Sequence, residues 1–131
     1  MEVHLKIIGI LLMLLALVHT IFPRYFNWKN ELKELSLMNR QMMKIHTFFI
    51  AVTVFLMGLM SFVLSEDLIF TELGKKICLG IGGFWTIRGV LQFFGYSAEL
   101  WRGKLFETIV HVVFSGFWIY LSFIYLKIGL V

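Results

Sequence analysis

The sequence predicts an all-α integral membrane protein: a four-helix bundle running up-down-up-down, with a short amphipathic interfacial helix between its first two spans. Three observations carry this. The 131 residues are 60% hydrophobic and only 15% charged, whereas a soluble domain is about half apolar and about a quarter charged. The mean hydropathy is +0.87, more apolar surface than a chain of this length can hide from water. The apolar residues also collect in four runs, Val3–Phe22, Ile45–Leu64, Ile77–Tyr96 and Leu105–Leu126. Each run is about 20 residues, enough for a helix to cross a roughly 30 Å hydrocarbon core. Barrel strands alternate and are about half as long, and backbone groups in lipid must bond within their own segment, which selects helices.

The N-terminus has a charged start, Glu2 and Lys6, and then an apolar run, Ile7–Val18, that ends in "HTIFP" with no small-residue cleavage site. It reads as a retained helix and not as a signal peptide. Pro23 closes it, because the ring lacks a donor and clashes with the preceding turn. In "RYFNWKNELKELSLMNR", Trp28, Leu32, Leu35 and Met38 form one apolar stripe, with Lys29, Lys33 and Glu34 between them. That pattern predicts a helix over residues 27–40 lying in the interface.

The linker "SEDLIFTELGKK" offers Ser65 and Thr71 as helix caps, and "SAELWRGK" is short enough to make spans three and four an antiparallel hairpin. The single Cys78 excludes an internal disulfide. All 131 residues form a single domain, with no low-complexity tract.

Four antiparallel spans put both termini on one side. That side carries Lys6, Lys75, Lys76 and Lys127, four basic residues. The other carries seven: Arg24, Lys29, Lys33, Arg40, Lys44, Arg102 and Lys104. The richer side is expected to be cytoplasmic and the termini outside. The net charge of +4 suits anionic lipid. Nucleic acid is not an expected partner, since no basic and aromatic module tracks phosphates. The Lys, Ile and Phe bias and the brevity resemble small four-helix bacterial membrane proteins, which implies an inner-membrane location and nothing about activity.

Polar residues from all four spans fall towards the basic side. His19 is near the end of span one, and His46 is at the start of span two. Gln92 and Tyr96 lie late in span three, and Glu107 and His111 early in span four. Trp85, Arg88, Gln92 and Tyr96 make one stripe; Glu107, His111, Ser115, Trp118 and Ser122 make another. Such stripes face other helices, not lipid. An arginine at the bilayer centre costs on the order of 3 kcal/mol on insertion scales. Arg88 lies about 12 Å, and His111 about 9 Å, inside their spans at 1.5 Å per residue, so a contact from Arg88 to Glu107 or His111 is expected to offset part of that cost.

Three functional readings follow. First, His46 and His111, with His19 beside them, are candidate ligands for haem b, and Arg88 for a propionate; alternatively His19, His46, His111 and Glu107 hold a divalent metal. Second, Arg88, Gln92 and Tyr96 bind a lipid phosphate or a quinone carbonyl. Third, Arg88, Gln92, Tyr96, Glu107 and His111 satisfy one another, and the chain is an accessory or structural subunit of a larger membrane complex, or one copy in a homo-oligomer. No enzyme motif appears: there is no G-x-S-x-G elbow, no C-x-x-C-H, and no pair of intramembrane carboxylates.

Overall fold

The computed structural model describes residues 2–95, 100 and 102–131. Most of these residues are helical, and no strand occurs among them. The elements are α1 (Glu2–His19), α2 (Phe22–Tyr25), α3 (Trp28–Glu31), α4 (Leu37–Val63), α5 (Ser65–Phe70), α6 (Glu72–Phe94) and α7 (Leu105–Leu130). Four of them, α1, α4, α6 and α7, are long and apolar enough to cross a membrane. The chain divides into two compact units, Val3–Ser65 and a second built on Glu66–Val131.

In the first unit, α1 and α4 meet through glycine. A Cβ on Gly9 would lie 2.6 Å from the carbonyl oxygen of Gly58, and one on Gly58 would lie 2.6 Å from that of Gly9. Without side chains the two backbones touch, the contact that small residues permit between apolar helices. Gly9 also approaches Phe62, and Gly58 approaches Leu12, so the two helices run antiparallel.

The connection between α1 and α4 differs from expectation. The stripe over residues 27–40 is not one helix. Pro23 sits in the first turn of α2, where its missing N–H would have no intrahelical partner anyway. Asn27 adopts a left-handed conformation, φ 54° and ψ 47°, which asparagine tolerates better than most residues. The helix stops at Glu31. It restarts at Leu37, where the Ser36 hydroxyl accepts the Asn39 N–H at 3.2 Å and caps α4. Trp28 and Leu32 are buried while Leu35 and Met38 are exposed, because the break turns the second half of the stripe off the first. His46 therefore lies well inside α4 and not at its start.

In the second unit, Thr71 links two helices. Its hydroxyl donates to the Asp67 carbonyl at 2.6 Å, closing α5, and accepts the Gly74 N–H at 2.9 Å, capping α6. Ser65 begins the short α5. α6 and α7 pack along their length: a Cβ on Gly82 would lie 2.7 Å from the Leu126 side chain, and one on Gly89 3.5 Å from the Cβ of Trp118. Since the earlier α6 position meets the later α7 position, the pair is antiparallel, as the short connection requires.

Candidate functional site

The polar stripes of α6 and α7 converge on Gln92, which is buried. Its Oε1 accepts from Arg88 Nη1 at 3.2 Å and from the indole N–H of Trp118, also at 3.2 Å. Two N–H donors on one atom identify it as the amide oxygen. The amide nitrogen therefore faces His111, to whose Nδ1 it donates at 2.9 Å. A ring nitrogen that accepts carries no proton, so neutral His111 bears its proton on Nε2.

Aromatic rings wall this network. The Arg88 guanidinium carbon lies 4.7 Å from the centroid of the Trp118 ring, a cation–π contact. Trp85 stacks on Trp118 with centroids 5.2 Å apart and planes 6° from parallel. Phe93 meets His111 edge-on at 5.8 Å. The Trp85 indole N–H is buried and has no hydrogen-bond partner among the described residues. Ser115 and Ser122 donate to the carbonyls of His111 and Trp118, one turn back on their own helix. That is the usual satisfaction of a hydroxyl within an apolar helix.

The expected residues distribute as follows. Arg88, Gln92 and His111 come together, and Trp118 joins them. Glu107 is exposed in the first turn of α7 and the Arg88 contacts described above go to Gln92 and Trp118. The reason is axial: Gly89 sits beside Trp118, which puts Glu107 about 16 Å farther along α7 at 1.5 Å per residue. Gln92, one turn beyond Arg88 in that direction, spans part of the gap and reaches His111. Tyr96 lies outside the described residues.

His19 and His46 belong to the other unit. Each donates its Nδ1–H to the carbonyl four residues earlier, Leu15 and Met42, at 2.8 Å. That leaves the lone pair of the neutral ring on Nε2, the opposite tautomer to His111. His46 is exposed, and His19 partly buried with its ring 4.8 Å from that of Phe22. α1 and α4 pair Gly9 with Gly58 and Leu12 with Gly58. This brings His19 level with the region of Ala51, and His46 about 7 Å beyond at 1.5 Å per residue. Among the described residues of each unit, no three His, Cys, Asp or Glu side chains gather as a metal site.

The site has a chemical polarity that was not visible in the stripe pattern. Its acceptors, Gln92 Oε1 and His111 Nδ1, are engaged inside it. The groups it adds around them are donors: a guanidinium with five N–H groups, the Nε2–H of His111 and the indole of Trp85. Trp118 was visible in the sequence as a stripe member, but nothing marked it as the residue that shares Gln92 with Arg88.

No protein-family model matches this chain, and no curated protein and no solved structure is significantly similar to it.

Proposed function

We propose that this chain is an integral membrane protein, of the bacterial inner membrane, whose α6–α7 network binds the acceptor group of an amphiphile: a lipid phosphate or a quinone carbonyl. One observation carries the reading, the donor polarity of the network around a positive charge. In a low-dielectric setting such a group of donors favours an anionic or carbonyl oxygen. Haem b and a divalent metal rank behind it. Iron and zinc require a ring lone pair, and in neutral His111 that lone pair already accepts from Gln92. His19 and His46 hold the ligand-competent tautomer but are offset along their helices.

The accessory-subunit reading has its own support. Gln92 on α6 bonds both His111 and Trp118 on α7, so the network also locks the register of the hairpin. The up-down-up-down arrangement, outside termini and an interfacial position for Trp28–Leu32 complete the proposal; reporter fusions at Val131 test the orientation, and cytoplasmic activity there reverses it.

The two functional readings separate in lipid nanodiscs. With Trp28 and Trp101 replaced by phenylalanine, fluorescence reports on Trp85 and Trp118. Saturable quenching by a brominated anionic phospholipid or a soluble benzoquinone, weakened in Arg88→Gln, is expected. Non-saturable quenching that is equal in both proteins leaves only the structural reading. A Soret band lost in His46→Ala and in His111→Ala would put haem first again.

A further inference from the structure

Beside the network, α6 and α7 leave an open groove of about 400 Å³, within the roughly 300–1,000 Å³ range of small-ligand clefts. Gly89, Val90 and Phe93 of α6 and Trp118, Ile119 and Phe123 of α7 line it. The hydroxyls that border it, Thr86 and Ser122, both donate to carbonyls of their own helices, Gly82 and Trp118, at 2.7 and 2.8 Å. The groove is thus apolar in chemistry as well as in composition. A Cβ on Gly89 would meet Trp118 at 3.5 Å, an ordinary contact distance, so this position packs against α7 and still leaves room beside it.

We infer that this groove holds an acyl chain of an anionic phospholipid whose phosphate is drawn to Arg88. The inference rests on the ligand reading above and adds where the tail goes. Two features single out this occupant. Trp118 is common to both places: it lines the groove, and the Arg88 guanidinium lies over its ring at 4.7 Å. A molecule seated in the groove therefore has a fixed cation within one side chain of its path. Arg88 also bonds Gln92, one turn nearer the end of α6, so its charge is displaced towards the membrane surface, where a phosphate lies. A chain lying from Phe93 towards Phe123, with its head at the α6 end, meets both features together.

Native mass spectrometry of the purified protein tests this. The probes are dioleoyl phosphatidylglycerol, its dihexanoyl counterpart and dioleoyl phosphatidylcholine. Gly89→Leu and Ile119→Trp each place a larger side chain at a lining position, and the second, at an exposed residue, serves if the first variant does not fold. Wild-type protein is expected to retain the long-chain anionic lipid in preference to the zwitterionic one. Either filling variant should bind it about tenfold more weakly, the loss expected when roughly two methylenes are displaced, with binding of the dihexanoyl lipid unchanged. Equal long-chain binding in wild type and the filling variants, with the anionic preference kept, overturns the groove and leaves the Arg88 reading standing. No anionic preference in any of the proteins overturns both.

Discussion

Replacing Gln92 with leucine removes one side chain and three hydrogen bonds, to Arg88, Trp118 and His111. Leucine is close in size, so little cavity forms and the loss is chiefly polar. Two of the bonds cross between helices, and interhelical bonds in membranes are worth about 0.6 kcal/mol each on average and at most about 1.7. The third holds a charged donor. Gln92 is only 8% exposed, so the groups that lose a bond to it are poorly placed to replace that bond with water, a further cost of about 1–3 kcal/mol. The sum is a destabilisation of about 2–4 kcal/mol. Unfolding of the purified protein in mixed micelles of increasing denaturing-detergent fraction measures it. Combining Gln92→Leu with His111→Phe should give a loss smaller than the two singles added, because either single change already removes the bond between them. If Gln92→Leu lies within about 0.5 kcal/mol of wild type, the ordinary range for uninvolved positions, the network does not hold the hairpin and the arrangement built on Gln92 is wrong.

Gly58→Leu should separate α1 from α4, since even a Cβ there meets the Gly9 carbonyl oxygen at 2.6 Å; a loss of about 1–3 kcal/mol or more is expected from overpacking, and a neutral result in the same unfolding assay would refute the backbone contact. Thr71→Ala deletes the α6 cap and the closing bond of α5, with an expected cost of about 1 kcal/mol; Thr71→Ser should keep most of it. Nitrogen-15 spectra of histidine-labelled protein under conditions where the rings are neutral should show His111 with its proton on Nε2, and His19 and His46 with theirs on Nδ1. Gln92→Leu should release the His111 preference, and a His111 signal from the Nδ1–H form in wild-type protein contradicts the amide orientation.

Much of the fold is legible in the residues alone. A run of apolar side chains of spanning length has one stable solution in lipid, a helix, so α1, α4, α6 and α7 follow from length and hydropathy. Thr71 reads as a cap because its hydroxyl can replace a missing intrahelical acceptor. The connection after α1 was less legible. A 3–4 spacing of Trp28, Leu32, Leu35 and Met38 fits one helix, but spacing is silent on backbone choices at Asn27 and Ser36, and those two residues divided it.

The site divides the same way. Sequence by itself determined which polar residues share a helix face, because the helical period places Arg88 with Gln92 and His111 with Ser115 and Trp118 whatever the partner is. It could not determine how far one helix slides past another. That displacement is set by contacts such as Gly82 with Leu126 and Gly89 with Trp118, which involve no charge. Only the tertiary structure therefore decided that Arg88 meets Gln92 and Trp118 rather than Glu107. Once Gln92 Oε1 accepts two donors, its amide nitrogen must face His111, and the tautomer of that ring follows from the packing of the two helices.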